Sequence, residues 1–346
     1  MKKPNKFLNW LKSFPTIVSL CIIIPSLVAI TRYFFSIEYY YHNYYYTGET
    51  LDVDDATFEI TGINKIGNVS QSSANYSYQG GACYENYYAV CLDNFQSILI
   101  YDAETMKLAH TVNTNSFNVE WHCNQIFFGP YFYKMSDKYP LLYVSMEHAN
   151  VHSTIVFRIY QQAGEYYTEE VQSIELHFSD DKDIIYFPNS YYDYEEDCLY
   201  YGGYTENSYM KSDTNKLKYY RFTLPDYREE YETLETSEAD AVFELPSETA
   251  TQGGFISHHH LYQTFSFGSK TDPLRMPKMR VVDMENGKII KDYQNLGEQF
   301  GAYEEFEHVA ISNNGRILSL GNPLYLYEFT YKSNSLKRFY SIFYIP

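Results

Sequence analysis

Eight polar side chains are the candidates for chemistry in this sequence, because each lies just before or within the first strand of a proposed repeat. They are Gln79, His122, Asn124, Asp193, Gln252, Glu305, Glu307 and His308. Amide, imidazole and carboxylate groups in one place could bind a metal ion, a sugar or a peptide end, and a carboxylate beside a histidine could serve as a base. For any single member, hydrogen bonding to channel water or to neighbouring backbone is the more frequent role.

An internal repeat predicts how these residues are brought together. Gln79-Gly80-Gly81 leads to a turn at Asp102, and Gln252-Gly253-Gly254 leads to a matching turn at Asp283. Each copy reads as a glycine-flanked strand, a tight turn, two β-rich strands, a polar turn and a last strand. Repetition of such a four-stranded unit predicts a β-propeller, in which the first strands surround a central channel. The candidate residues are therefore expected to converge at that channel.

Three weaker repeats follow the same plan and begin near His122, Ile184 and Glu305. The region 57–346 is thus predicted to be an all-β propeller of five blades. Five blades of about 58 residues are longer than the usual repeat of about 40–50 residues, so six blades are the alternative. The segment Thr57–Ile66 reads as an extra strand that closes the ring against the last blade, which would remove an open sheet edge.

The N-terminal segment has the pattern of a membrane anchor. Residues 13–31 contain no charged side chain, and a helix of this length spans about 28 Å, close to the hydrocarbon core of about 30 Å. Lysines in residues 1–12 place that tail in the cytoplasm by the positive-inside rule, with residues 32–56 as a tyrosine-rich acidic stalk outside. A cleaved signal peptide is the alternative, but no Ala-x-Ala-like site follows the apolar run. We therefore predict a single-pass protein of the cell membrane, with its propeller on a bacterial cell surface or in the periplasm.

The chain is strongly acidic, with a formal net charge of −18 at pH 7. Residues 33–346 hold all 44 acidic residues but only 21 of the 26 basic ones, so this part carries −23. Such a surface repels polyanions, which excludes nucleic acid as a partner. Acidic surfaces also associate with divalent cations, although a solvated acidic face is the commoner case, and we predict no cofactor.

Four cysteines lie beyond the apolar segment, and none has the Cys-x-x-Cys spacing of a zinc site. A two-residue turn at Glu85-Asn86 would place Cys83 on the opposite sheet face from Cys91, which disfavours a bridge between those two cysteines. Cys123 and Cys198 fall in different proposed blades, and the sequence does not show whether they meet.

Two further patterns are predicted to be structural. The 40 tyrosines suit strands, where their rings pack between sheets, so most of them are expected in the core. The triplet His258-His259-His260 is predicted to form an exposed hairpin turn and not a set of metal ligands.

One set of motifs resembles uncharacterised exported bacterial β-propeller proteins. The set comprises Gln79-Gly80-Gly81, His122-Cys123-Asn124 with Phe128-Gly129, and the run from Tyr139 to Ser145. The resemblance covers most of residues 75–335, and it implies the fold and an extracytoplasmic location.

A second, local set is similar to one blade of the five-bladed glutaminyl cyclotransferase propellers. It comprises Thr251-Gln252-Gly253, Leu261-Tyr262, Val282-Asp283 and Gly287-Lys288. The resemblance implies a glutamate after a Phe-Gly pair, whereas Phe300-Gly301 is followed here by Ala302.

Together these patterns predict a membrane-tethered binding or scaffolding module for a protein, peptide or glycan at the channel mouth or the blade rim. The sequence has no nucleophile elbow, phosphate loop, metalloprotease helix or EF-hand motif. The alternative is an enzyme with an axial active site, either cyclotransferase-like or carbohydrate-cleaving. A purely structural envelope protein is the third hypothesis.

Overall fold

The computed structural model describes residues 24–27, 46–47, 59–69, 77–115, 122–134, 136–148, 151–267, 275–293, 296, 305–313, 315–321, 325–332 and 341–342. The chain divides into two compact units, residues 1–45 with 342–346, and residues 46–341. In the first unit residues 24–27 are helical and exposed. The rest of the predicted tail 1–12 and span 13–31 lies outside the described residues, as does the stalk 32–56 apart from residues 46–47. No helix among the described residues is long and apolar enough to cross a membrane.

The second unit contains five antiparallel sets of four strands, which we call blades 1 to 5; blades 3 to 5 are separate sheets, and blades 1 and 2 belong to one nine-stranded sheet. Blade 1 comprises Tyr78–Tyr84, Tyr87–Leu92, Ser97–Asp102 and Leu108–Asn113. Blade 2 comprises His122–Phe128, Leu142–His148, Val151–Gln162 and Glu165–His177. Blade 3 comprises Tyr186–Asp193, Cys198–Tyr204, Lys216–Thr223 and Ala241–Pro246. Blade 4 comprises Thr251–Ser257, His260–Phe265, Lys278–Asp283 and Lys288–Tyr293.

Blade 5 combines strands from both ends of the propeller region. It comprises Phe306–Ile311, Ile317–Gly321, Tyr325–Lys332 and, as its outer strand, Glu59–Asn68. The last of these precedes blade 1 in the chain but pairs antiparallel with Tyr325–Lys332. This confirms the prediction that a strand near Thr57–Ile66 closes the ring. The fifth repeat also predicts a strand over 336–343, which lies outside the described residues except for Ser341–Ile342.

The first strand of each blade, its inner strand, contacts the inner strands of the two neighbouring blades. These contacts run from blade 1 through blades 2, 3, 4 and 5 and back to blade 1, so the five blades form a closed ring. The all-β propeller prediction is therefore confirmed, and the described strands form five blades, the number that the sequence favoured. The outer strand of blade 1 also pairs in parallel with that of blade 2, through Tyr166 opposite Val112.

Four further short elements lie in the described part of this unit. Tyr231–Glu235 pairs in parallel with the outer strand of blade 2. Asp181–Asp183 and Thr236–Glu238 are single turns of 3₁₀ helix. A further two-residue strand lies at Tyr46–Thr47.

Each inner strand carries an irregularity near its amino end. The pairing with the second strand shifts between Tyr78 and Gly81 in blade 1, between Cys123 and Gln125 in blade 2, and at equivalent places in the other three blades. A bulge of this kind interrupts the alternation of side chains between the two faces of a sheet. It therefore changes which inner-strand residues point to the axis.

Tyrosine rings fill the spaces between the blades, as the composition predicted. Of the twelve largest side chains that are fully buried, eleven are tyrosines and the other is Arg280. One cluster between blades 3 and 4 includes Tyr191, Tyr204 and Tyr219. Each fully buried ring of this size contributes about 1.5–3 kcal/mol of hydrophobic stabilisation, so the inter-blade rings are a main source of stability.

The cysteines form a pair that the sequence did not predict. The Glu85-Asn86 turn is present, and Cys83 lies opposite Tyr88 as predicted. Cys91, on the second strand of blade 1, forms a disulfide with Cys123 on the inner strand of blade 2. Cys83 and Cys198 are free thiols.

Candidate functional site

The eight candidate residues fall into three groups along the axis. Gln79, His122, Asn124, Gln252 and Glu305 lie at or just before the amino ends of the inner strands, Glu307 and His308 lie within the ring, and Asp193 ends the inner strand of blade 3. The sequence predicted that all eight meet at one place, whereas the ring holds the first and last groups at opposite ends of its strands.

The amino-end group is partly connected. Asn124 donates a hydrogen bond to the side-chain oxygen of Asn189 (2.9 Å), and Asn189 donates to the backbone oxygen of Gln252 (3.3 Å). His122 forms an ion pair with Asp93. His122, Asn124 and Gln252 line one shallow cavity with an aromatic side. Glu305 is half-buried at the start of blade 5.

His308 is buried in the centre and is held by two hydrogen bonds. Its Nδ1 lies 2.6 Å from the backbone oxygen of Gln79 and its Nε2 lies 2.5 Å from the hydroxyl of Tyr88. Burial lowers the pKa of His308 to about 4, so the ring is neutral at pH 7. Nδ1–H is then the donor to the carbonyl, and Nε2 accepts from Tyr88. The geometry gives this histidine a structural role.

Gln125 is the axial residue that the sequence did not single out. Its amide nitrogen donates to the backbone oxygen of Gly254 (2.6 Å) and its amide oxygen accepts from the backbone nitrogen of Gly254 (3.0 Å). This pair of bonds runs from blade 2 to blade 4, which are not neighbours in the ring, so the side chain spans the axis. A Cβ on Gly253 would overlap the amide of Gln125, which explains the small residue there. The only signal in the sequence was the position of Gln125 one residue after Asn124.

A pocket opens beyond Gln125, at the carboxyl ends of the inner strands, and we call it the axial pocket. All five blades contribute to its lining, which comprises Gly81–Cys83, Glu85, Gln125–Phe128, Tyr191–Glu195, Gly254–His258, Ala310, Ile311 and Asn313. Its cavity volume is about 60 Å³. Since about 10–15 Å³ of such a cavity is enough for one water molecule, the pocket has room for a few waters or for the end group of a ligand.

Aromatic rings form much of the wall of the axial pocket. Phe127 stacks between Tyr143 and Tyr192, with ring centroids 4.9 Å and 5.9 Å away. Phe255, which is half-buried, stacks on Tyr262 at 4.7 Å. Because these rings are fixed by their neighbours, the wall is largely formed before any ligand arrives.

Carboxylates and histidines form one side of the rim. The nearly buried carboxylate of Asp193 accepts from the backbone nitrogen of Glu195 (2.9 Å) and lies 3.0 Å from Nδ1 of His259. Glu195 is 2.9 Å from Nδ1 of His258 and 3.2 Å from Nε2 of His259. The rim therefore joins the end of the blade 3 inner strand to the hairpin turn of blade 4.

Contacts within the rim change the pKa values of His259 and Glu195. Partial burial lowers the pKa of His259, but the hydrogen bond and charge of Asp193, with the charges of Glu195 and Glu285, outweigh it and leave the pKa raised. Burial raises the pKa of Glu195, and the hydrogen bond and charge of His258 outweigh it, so that pKa is lowered. Glu195 is therefore ionised at neutral pH, and these contacts favour the protonated form of His259.

The histidine triplet is a hairpin turn, as predicted, but it is not simply exposed. His258 and His259 occupy the turn with φ of 48° and 58°, and all three residues are half-buried. His259 is instead the centre of two groups whose ligand atoms lie within 4.8 Å of one another. These groups are Asp193 with Glu195 and His259, and Glu196 with His259 and Glu285. The sequence did contain a signal for this cluster. Asp193 ends one inner strand, and the histidine triplet follows the inner strand of the next blade.

Cys83 also lines the axial pocket, but it is not an activated nucleophile. Burial raises the pKa of its thiol, and the charge of Arg316 offsets this only in part. The sulfur is therefore a protonated thiol at neutral pH, whereas the thiolate is the reactive form.

Comparisons with known proteins identify propellers by structure only. No family model and no curated protein matches the sequence. The Myxococcus xanthus glutaminyl cyclase is similar with a TM-score of 0.46 and 8% identity, over 78% of this chain and 96% of that one. The PQQ-bound aldose sugar dehydrogenase of Streptomyces coelicolor has a TM-score of 0.44 and 10% identity, over 78% and 98%. A glucose dehydrogenase has a TM-score of 0.42 and 10% identity, over 77% of this chain and 98% of that one. Glutaminyl cyclase-like propellers, which the local motifs resemble, are thus among the similar structures, and none of these activities is transferred to this chain.

Proposed function

We propose that this protein is a binding module whose axial pocket receives a cationic end group, such as the ammonium group of a lysine side chain in an extracytoplasmic peptide or protein. The observation that carries the proposal is the pocket itself, a small cavity with fixed aromatic walls and a carboxylate rim at the end of the ring axis. Its volume suits the tip of a side chain. Protein and peptide partners thus take precedence over the glycans that the sequence also allowed.

Two physical terms favour a cation over an anion or an uncharged group. The face of a tyrosine or phenylalanine ring attracts a cation by about 0.5–2 kcal/mol, depending on how far the cation is desolvated. Phe255 is a half-buried ring in the pocket lining, and Glu195 is a carboxylate of the same lining whose pKa is lowered. The net charge of −18 also raises the local concentration of cations before contact.

The proposal is tested with a blocked tripeptide, N-acetyl-Ala-Lys-Ala-amide, and the same peptide with norleucine in place of lysine. Saturation-transfer NMR and a titration should detect the lysine peptide and not the norleucine peptide. Glu195→Gln should weaken binding of the lysine peptide by about two- to fivefold, as expected for a partly exposed ion pair. Glu196→Gln is the matched control, because Glu196 is the next residue but does not line the pocket. Equal binding of the two peptides, or none, overturns the proposal.

We also propose that residues 13–31 anchor the chain in the membrane with the propeller on the outer side. The disulfide between Cys91 and Cys123 supports this location, because such bonds persist in oxidising compartments. Glu104→Cys, on an exposed turn, should react in intact cells with a maleimide that cannot cross the inner membrane, whereas Lys6→Cys should react only after lysis. The reverse pattern would place the propeller in the cytoplasm.

A further inference from the structure

Beyond the proposed ligand pocket, we propose that His259, Glu196 and Glu285 form a binding site for a divalent transition-metal cation, with Zn²⁺ as the ion that fits it. Asp193 acts as the positioning residue for His259. Glu196 and Glu285 do not line the axial pocket, whereas Glu195, whose Oε2 lies 3.2 Å from Nε2 of His259, does, so this site adjoins the pocket.

Three turns bring the ligands together. Glu196 follows the inner strand of blade 3, and His259 lies in the first hairpin turn of blade 4. Glu285 lies in the second turn of blade 4, where the backbone nitrogen of Met284 donates to the backbone oxygen of His259 (2.7 Å). The two turns of blade 4 are thus joined directly.

The imidazole is oriented by a carboxylate that is itself fixed. The Asp193 side chain is 2% exposed, and its Oδ2 lies 3.0 Å from Nδ1 of His259. When Nδ1–H donates to Asp193, the lone pair of the neutral ring is on Nε2 and points away from that carboxylate. Histidine ligands of metals almost always donate their other N–H to such a partner. This arrangement indicates a ligand independently of the number of acidic residues nearby.

The carboxylates gather around Nε2. Glu196 Oε1 is 3.9 Å from Nε2 of His259, and the ligand atoms of Glu196, His259 and Glu285 all lie within 4.8 Å of one another. Zn²⁺ needs donor distances of about 2.0–2.2 Å, so small rotations of the two exposed glutamates would close the site. Three protein ligands would leave a fourth position for water or for a ligand oxygen.

The donor set selects among metals. Ca²⁺ and Mg²⁺ prefer oxygen ligands throughout, whereas imidazole nitrogen suits Zn²⁺ and its neighbours in the first transition row. One nitrogen and two carboxylates therefore favour Zn²⁺ over the alkaline-earth ions.

The test uses the full-length chain after treatment with a chelator, with Zn²⁺ titrated by calorimetry and Co²⁺ followed by its visible absorption. We expect one saturable Zn²⁺ site and a Co²⁺ spectrum typical of nitrogen and oxygen ligands. His259→Asn should lower the Zn²⁺ affinity at least tenfold, and asparagine tolerates the positive φ of the turn. Glu285→Gln should have a similar effect. Asp193→Asn should lower the Zn²⁺ affinity by about 10–100-fold, the range for residues that hydrogen-bond to a metal-ligating histidine.

Glu104→Gln is the matched control, because Glu104 occupies the same position of the repeat in blade 1, two residues after Asp102 as Glu285 follows Asp283. Its Zn²⁺ affinity should equal that of the wild type. Absence of a saturable site, or a Zn²⁺ affinity that His259→Asn and Glu285→Gln leave within twofold of the wild type, overturns the inference. The Zn²⁺ titration contains no peptide and the peptide titration contains no added metal, so the two proposals are tested separately.

Discussion

Gly81 leaves the space that the imidazole ring of His308 fills. A Cβ built on Gly81 would overlap the ring at Nε2, Cε1 and Cδ2. The second glycine of the first Gln-Gly-Gly motif therefore makes room for a contact between blade 1 and blade 5. The ring, in turn, cannot move away, because both of its nitrogens are hydrogen-bonded to blade 1.

Gly81→Ala should destabilise the protein by about 1–3 kcal/mol or more, since the added methyl group must displace a fixed, buried ring. The free energy of unfolding from urea denaturation measures the effect. Gly67→Ala is the matched control, because its Cβ would meet only Leu326, at 3.8 Å. Equal stability of the two variants would show that His308 can shift without cost.

His308 should make the protein less stable in mild acid. Burial lowers its pKa from 6.5 to about 4 in the folded protein, so between these pH values the unfolded chain binds a proton that the folded chain does not. The contribution is fully present above about pH 6.5 and is lost as the pH falls to about 4, where the loss amounts to about 3 kcal/mol.

Urea denaturation at several pH values measures this loss, and His308→Gln should reduce the slope. NMR titration of the His308 ring provides a second measurement that does not depend on a stable variant. A ring that titrates near 6.5 in the folded protein would contradict the prediction. The exposed His177→Asn variant should keep the wild-type slope.

The sequence predicted the blades but not which residues face the axis. Alternating apolar strands and polar turns are local patterns, so the repeats at Gln79 and Gln252 were recognisable without a partner strand. The bulge near the start of each inner strand is not a local pattern, and it shifts the facing of residues by one position. Asn124 was consequently predicted as an axial residue, while Gln125 next to it spans the axis.

The rim was missed for a related reason. Asp193 was predicted as a candidate, but its partner His259 lies 66 residues away, in a turn of the next blade. Contacts between turns of neighbouring blades depend on the stagger of the ring, which neither turn encodes alone. The pairing of Cys91 with Cys123 was hidden in the same way, since it joins two blades.

The disulfide should contribute about 3–4 kcal/mol to stability by the loop-entropy estimate, because it closes a loop with a sequence separation of 32 residues. A Cys91→Ala, Cys123→Ala double variant should therefore unfold at a lower urea concentration than the wild type. Cys198→Ala, which removes a free thiol, serves as the control. Peptide mapping without reduction should recover the two cysteines in one linked fragment, and their recovery as separate alkylated peptides would contradict the pairing.

Glu248 balances a buried cluster of cations in blade 4, and its loss should be the most costly of these changes. Its carboxylate is 1% exposed and lies 2.8 Å from Nζ of Lys278 and 3.3 Å from a terminal nitrogen of Arg280. Burial raises the pKa of Glu248, but the hydrogen bonds from Lys211 and Lys278 outweigh it and leave the pKa lowered, so the group is ionised at pH 7.

Glu248→Gln keeps the shape of the side chain but leaves the buried Lys278 without its Glu248 counter-ion and Arg280 with the partly exposed carboxylate of Asp292, 3.3 Å away. Breaking a buried pair in this way costs about 3–5 kcal/mol. Glu169→Gln is the control, because Glu169 pairs with Arg158 at the surface, where such a pair contributes about 0–1 kcal/mol. If urea denaturation gave equal losses for the two variants, the Glu248 cluster would have to be hydrated, and it would no longer explain why two cations lie inside blade 4.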